Sequence, residues 1–121
     1  MKKLLSTILS AMLVVSMTVA SASALTFVEI KGSNRYQTSA LIADKQNYTT
    51  AILVNSTKSI ADGLSASALA GAANAPILLV KQNEIPADVE LRLECTNKIY
   101  IIGSENAISK NIEDRLKKSG F

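Results

Sequence analysis

The sequence contains no histidine and no tryptophan, and Cys95 is its single cysteine. Without histidine the chain cannot assemble a Ser-His-Asp or Cys-His nucleophile, nor the usual zinc sites that contain histidine. With one cysteine an intrachain disulfide is impossible, so packing must hold the fold together. The strings G-x-G-x-x-G, Walker A and G-x-S-x-G are also absent. We therefore expect no catalytic residues, no metal site and no cofactor.

Carboxylate or lysine chemistry is what these absences leave open. The acids that could serve it are scattered along the chain, as Asp44, Asp62, Glu84 and Asp88. Exposed carboxylates more often solubilise a surface than catalyse a reaction. We therefore predict that the protein is not an enzyme.

The first 24 residues have the pattern of a secretory signal peptide. A basic start, Met1-Lys2-Lys3, precedes the apolar run LLSTILSAMLVVSMTVA, and Ala22-Ser23-Ala24 fits a small-residue cleavage site. An uncleaved membrane anchor is the alternative, because the run approaches the roughly 20 residues that cross a bilayer. Its serines and threonines favour cleavage, which leaves residues 25–121 as one small secreted domain.

The charge of the mature domain also narrows the choice of partners. The full chain has a formal net charge of +3, and cleavage removes two of its lysines. The mature surface is then close to neutral, whereas nucleic-acid binders concentrate basic charge. We expect no nucleic-acid partner and, after cleavage, no membrane contact.

Short aliphatic runs alternate with amphipathic stretches along residues 25–121. Strands that are apolar on both faces and separated by helices predict an α/β fold, a single small domain with a mainly parallel sheet flanked by helices. The predicted strands are residues 26–30, 51–54, 77–80 and 98–103. The predicted helices are residues 35–45, 60–75, 86–93 and 108–119, with Asn34 and Ser59 as N-caps and Pro76 ending the second helix.

The helix predicted over residues 60–75 is built almost entirely of small side chains. Ala61, Ser65, Ala68 and Ala72 recur at helical spacing and form a smooth stripe. Such a helix either packs closely against the sheet or forms a contact surface for another copy of the domain. The spacing by itself favours internal packing.

Three successive blocks of the chain resemble the cell wall binding repeat type 2 family. They are GSNRYQTSALIA, IADGLSASALAGAANAPILLV and KIYIIGSENAISKNIEDRLKKSG, in this order and without large gaps. The central block, with its Asn-Ala-Pro-Ile-Leu-Leu ending, is the most distinctive. Two mild departures are Gly63, where the family commonly has alanine, and Ser104, where it commonly has glycine.

The resemblance implies noncovalent retention of a secreted protein on the wall of Gram-positive bacteria. The ligand it implies is an anionic secondary wall polymer, and the location is the cell wall or cell surface. Family members usually carry three such α/β modules packed about a pseudo-threefold axis, whereas this sequence holds one. It is therefore either a fragment of a longer chain or a single repeat that finds other copies in trans, as a homotrimer.

The polymer-binding prediction rests on the loops that follow the strands. In parallel sheets these loops gather at the carboxyl ends of the strands, where α/β proteins bind ligands and where helix N-termini add favourable partial charge. The tentative contacts are Arg35, Asn55, Lys58, Lys81 and Gln82. An ion pair between Arg35 and Asp62 is an equally good interpretation of that arginine.

The remaining residues singled out are expected to make core or inter-repeat contacts. They are Ala61, Ser65, Ala68, Ala72, Pro76, Ile77, Leu78 and Leu79. Two other functions stay open, a carboxylate-dependent hydrolase acting on wall glycans and a purely structural self-assembly module.

Overall fold

The computed structural model describes residues 22–120 and contains seven regular elements in this part of the chain. They are α1 (Arg35–Ala43), β1 (Thr50–Val54), α2 (Ile60–Ala73), β2 (Ile77–Leu79), α3 (Ala87–Leu93), β3 (Lys98–Ile102) and α4 (Lys110–Lys118). Most of the predicted signal peptide, residues 1–24, lies outside the described residues. Within residues 22–120 no helix is long and apolar enough to span a membrane.

The three strands form a parallel sheet in the order β2-β1-β3. Leu53 of the central strand pairs in register with Leu78 on one side and Ile101 on the other. The apolar residues of β1 are fully buried, because this strand has a neighbour at each edge and helices on both faces. The α/β fold with a parallel sheet is thus confirmed.

The helices cover the two faces of the sheet unequally. Alternate strand residues point to opposite faces, so Leu53 and Leu78 join the core beneath α1, α3 and α4, while Ile52 and Val54 face α2. A single helix therefore covers the second face. The outer strands are left half-buried on that side at Ile77, Leu79, Tyr100 and Ile102.

Side-chain caps begin two of the helices as predicted. The Asn34 side chain accepts a 2.9 Å hydrogen bond from the Gln37 amide, and the Ser59 hydroxyl accepts one from the Asp62 amide at 3.3 Å. The end of α2 differs from the prediction. Asn74, in the left-handed conformation at φ 47°, stops the helix two residues before Pro76.

The strand predicted over residues 26–30 is wrong. This segment has no regular secondary structure and pairs with no strand among the described residues, so the sheet there has three strands. Its chain direction is set by Gly32, whose amide donates to the Thr38 hydroxyl at 3.0 Å. A Cβ at Gly32 would lie 2.6 Å from the Thr38 nitrogen, so the segment turns tightly against α1 instead of entering the sheet.

Candidate functional site

The carboxyl edge of the sheet holds a topological switch point between β1 and β3. The connection from β1 to β2 runs through α2 on one face, and the connection from β2 to β3 runs through α3 on the other. The loops at residues 55–59 and 103–109 therefore leave adjacent strands toward opposite faces. Such a crevice is the usual ligand site of open α/β sheets.

Asn55 ties the two loops of this crevice together. Its Nδ2 donates to the Ala107 carbonyl at 2.6 Å, while its Oδ1 accepts from the Thr57 amide at 3.0 Å and from the Thr57 hydroxyl at 2.6 Å. The side chain is fully buried. This burial corrects the expectation that Asn55 touches the polymer, because its polar atoms are already occupied inside the protein.

Two buried hydroxyls at this edge have no hydrogen-bond partner among the described residues. They belong to Ser56, in the loop after β1, and to Ser109, the residue before α4. The Ser109 amide donates to the Gln82 carbonyl at 2.8 Å, so the loop after β2 holds the start of α4 in place. The sequence predicted no role for either serine. A serine before a helix normally caps it, but the Ser109 side chain makes no cap hydrogen bond.

Asp62 lies in the first turn of α2, where a carboxylate interacts favourably with the helix dipole. A Cβ at Gly103 would lie 3.1 Å from Asp62 Oδ2, so the carboxylate packs against the backbone at the end of β3. Gly103 also adopts φ 125°, which other residues rarely do. No ion pair between Asp62 and Arg35 occurs in the described structure.

The predicted cationic residues are exposed at the same edge. Helix α1 runs antiparallel to β2, since the Ser39 hydroxyl accepts from the Leu79 amide at 3.1 Å and Lys81 Nζ lies 5.8 Å from the Tyr36 ring centre. The start of α1, at Arg35, is thereby brought to the end of β2. Lys58 is exposed in the loop after β1.

Lys81 forms an ion pair with a neighbouring acid, Glu84. Its Nζ lies 2.8 Å from Glu84 Oε2, and this hydrogen bond raises the pKa of the lysine above its ordinary value. Both side chains are largely exposed. Arg35 and Lys58 make no ion pair within residues 22–120, so they carry the more available positive charge.

The small-residue stripe of α2 points away from the sheet. Ala61, Ser65, Ala68 and Ala72 are all exposed, which overturns the interpretation that this stripe packs internally. A second set of small residues faces the sheet instead, at Gly63, Ala66, Ala70 and Ala73. These positions recur at the same helical spacing, so the sequence pattern alone could not tell the two stripes apart.

The outer surface of α2 also carries large apolar side chains. Ile60 is 73% exposed and Leu64 is 70% exposed. Of the four residues at and after Pro76, Pro76 and Leu78 are buried in the core, whereas Ile77 and Leu79 are half-buried on the α2 face. The residues predicted to make core or inter-repeat contacts thus fall into two groups. Pro76 and Leu78 are buried in the core, whereas the four small residues of the α2 stripe are exposed.

No cluster of three potential metal-ligating His, Cys, Asp or Glu side chains occurs in residues 22–120. The edge instead combines exposed cations, buried hydroxyls and the N-termini of α2 and α4. Cationic side chains and helix N-termini are groups that can bind a polar, negatively charged ligand.

Comparison with known protein families identifies the class of this small α/β module. Residues 29–113 match the model of the family described as cell wall binding domain 2 (CWB2), and the chain belongs to that family. Membership confirms the resemblance seen in the three sequence blocks and the location at the cell wall or cell surface.

Two relatives from Bacillus subtilis (strain 168) are similar over most of this chain. The N-acetylmuramoyl-L-alanine amidase LytC is 34% identical over 96 residues, which are 76% of this chain and 19% of the amidase. The amidase enhancer is 37% identical over 93 residues, 74% of this chain and 13% of the enhancer. The chain therefore corresponds to less than a fifth of either relative.

Two solved structures from Clostridium difficile share the fold. Cwp8 superposes with a TM-score of 0.70 at 32% identity, covering 75% of this chain and 17% of Cwp8. Cwp6 superposes with a TM-score of 0.65 at 25% identity, covering 83% of this chain and 18% of Cwp6.

Proposed function

We propose that this module attaches a secreted protein to the bacterial wall by binding an anionic secondary wall polymer at the carboxyl edge of its sheet. The observation that carries the proposal is the gathering of Arg35, Lys58 and Lys81 at one edge, beside the N-termini of α2 and α4. Phosphate and carboxylate groups bind where cationic donors and free helix amides meet.

Each residue of the edge has a distinct part in this proposal. Arg35 and Lys58 supply unpaired charge, and Lys81 contributes when the polymer competes with Glu84. The hydroxyls of Ser56 and Ser109 are buried at this edge, so we assign them no contact with the polymer. Asn55 acts as a positioning residue that holds the loops after β1 and β3 together. Gln82 acts through its backbone carbonyl at the start of α4.

Retention on purified walls across a salt series tests this proposal. We expect retention to fall with salt, because screening shortens the reach of exposed charges to about 8 Å at physiological ionic strength. Arg35→Ala and Lys58→Ala should each weaken retention, and Glu84→Gln should strengthen it by releasing Lys81. The control is Lys45→Ala, an exposed lysine just past the opposite end of α1. Retention that ignores both salt and these substitutions would refute the site.

Binding rather than catalysis is the preferred function of the module itself. The acids considered as catalytic candidates have structural roles here: Asp44 pairs with Arg92, Glu84 pairs with Lys81, and Asp62 and Asp88 lie in the first turns of α2 and α3. Release of soluble fragments from wall glycan, absent from a buffer control and abolished by Asp62→Asn, would instead support the carboxylate-dependent hydrolase.

We further propose that separate copies associate through the exposed surface of α2, most simply as a trimer. Small side chains on this surface allow close approach of backbones, and Ile60 and Leu64 supply apolar area that one module leaves open. Oligomerisation without affinity for walls would favour the purely structural alternative.

A further inference from the structure

Residues 25–30 have no regular secondary structure, and three of their apolar side chains lie unburied. Leu25 is 80% exposed, Phe27 is 87% exposed and Val28 is 76% exposed. In a strand successive side chains point to opposite sides, so Val28 and Phe27 would present apolar groups on both faces once the segment is paired. Such a segment is suited to become a strand that is covered on both sides.

The outer edge of β3 is open in a complementary way. This strand ends the sheet, and Ile99, Tyr100, Ile101 and Ile102 are all only half-buried. On one face an open groove of about 430 Å³ runs beside β3 and α4 and is lined by Ile99, Ile101 and Leu116 among others. On the other face a shallower depression of about 400 Å³ lies between Tyr100 and Leu69 of α2.

We propose that residues 25–30 of one copy add to β3 of a second copy as an antiparallel fourth strand. In one register Phe27 lies opposite Tyr100, Leu25 opposite Ile102 and Val28 opposite Ile99, while Thr26 lies opposite Ile101. The same register places Glu29, the only acid of the segment, opposite Lys98. Cross-strand aromatic, aliphatic and opposite-charge pairs of this kind stabilise antiparallel sheets.

The charges at this edge support the register. Lys98 is exposed and makes no ion pair within residues 22–120, and its Nζ lies 4.7 Å from the centre of the Tyr100 ring. Glu29 is also exposed. An antiparallel strand at the edge of an otherwise parallel sheet is a common arrangement.

The segment cannot make this contact with its own β3. Gly32 is held against the first turns of α1 by its hydrogen bond to Thr38. Helix α1 packs over β2, the edge strand on the other side of the sheet from β3. Pairing Glu29 with Lys98 outside β3 would require the three peptide steps from Gly32, at most about 11 Å, to cross three strand spacings of about 4.8 Å each from β2. The occupant is therefore a second copy, and the contact is head-to-tail, which closes a ring when the rotation allows it.

The proposal rests on self-association but names a contact separate from the outward surface of α2. Charge reversal in the full secreted chain tests it, read out by light scattering over a concentration series and by hydrogen exchange of residues 98–102. Glu29→Lys and Lys98→Glu should each raise the dissociation constant about tenfold and speed exchange at β3, because like charges then face each other. The double variant should restore both readouts.

The matched control is Glu29→Lys combined with Lys58→Glu, which restores the net charge but places the acid in the loop after β1, at the opposite edge of the sheet from Lys98. It should show no rescue. Both lysines and Glu29 are exposed, so unfolding curves of the variants should coincide with that of the unchanged protein. The proposal is wrong if the unchanged protein stays monomeric, if single reversals alter neither readout, or if the double variant is no better than the single ones. Ala68→Trp, which acts on the α2 surface, should leave the charge-rescue pattern in place.

Discussion

At the scale of single residues, the pair of Asp44 and Arg92 connects two helices on the same face of the sheet. Arg92 Nε donates to Asp44 Oδ1 at 3.0 Å and Nη2 donates to Oδ2 at 2.7 Å, so the contact is bidentate. It joins the end of α1 to α3. The hydrogen bond from Arg92 holds the pKa of Asp44 below its ordinary value of 3.8.

This pair predicts a specific loss of stability in acid. A carboxyl group with a depressed pKa in the folded state stabilises the fold above its ordinary pKa, and the contribution disappears as the pH falls through the folded value. Between about pH 5 and pH 3 the unchanged protein should therefore lose more stability than Asp44→Asn. Because the aspartate is 43% exposed, we expect a difference below about 1 kcal/mol.

Urea unfolding at a series of pH values measures this difference. Glu94→Gln, which removes an exposed acid with no ion pair among the described residues, is the control and should follow the unchanged protein. Parallel stability curves for all three proteins would show that the Asp44 contact contributes nothing.

The candidate site was predictable at this scale for its charges but not for its hydrogen bonds. Arg35, Lys58 and Lys81 were predictable because loops after parallel strands share one edge. Asn55 looks like another loop residue, yet it is buried since its partner Ala107 lies 52 positions away in the sequence. The pairing of Lys81 with Glu84 depends on a turn whose geometry the amino-acid sequence does not specify.

At the scale of elements, α2 packs against the sheet with one side and exposes the other side to solvent. Its inner side approaches β1 closely, as a Cβ placed on Gly63 would lie 3.7 Å from Val54 Cγ1. That distance is an ordinary contact, so alanine fits at this position. The outer side is left to solvent.

We predict that Gly63→Ala stabilises the protein by about 0.5–1 kcal/mol, since alanine has the higher helix propensity and meets no obstruction. Gly103→Ala is the contrasting variant and should destabilise, because Gly103 adopts φ 125° and its Cβ would lie 3.1 Å from both Asp62 Oδ2 and Ala107 Cβ. Chemical denaturation of both variants measures the two effects. A loss of stability in Gly63→Ala would mean that α2 lies closer to the sheet than described.

At the scale of the whole molecule, the unequal covering of the two sheet faces leaves apolar surface that a single module does not bury. The open parts are the outer side of α2 and the edge of β3, and Ala72 of α2 and Tyr100 of β3 line the same depression. Both surfaces fit the expectation that modules of this family operate in groups, whether in one chain or as separate copies.

We predict that Ala68→Trp weakens self-association at the α2 surface while leaving the folded monomer intact. Ala68 is exposed, so a large side chain there blocks another copy without overpacking the core. Light scattering gives the mass, and thermal unfolding at low concentration verifies the fold. Ala66→Trp is the counterpart on the buried side and should unfold the module instead. A variant at Ala68 that assembles like the unchanged protein would exclude this surface as the contact.

The local properties of the chain were determined by the sequence by itself. Apolar runs define β1, β2 and β3 because a strand buried on both faces needs aliphatic side chains throughout, and Asn34 and Ser59 begin their helices because their side chains accept helix amides. The lack of histidine excluded whole classes of chemistry. These properties depend on residues that are close together in the chain.

Only the tertiary structure decided which of several equivalent surfaces faces inward. Two small-residue stripes on α2 have the same spacing, and the position of the sheet selected Gly63 and Ala66 over Ala61 and Ala68. Residues 26–30 have the composition of a strand, but their anchor at Gly32 keeps them away from the free edge of β3. Burial and strand pairing depend on what the rest of the chain places nearby, and no local pattern carries that information.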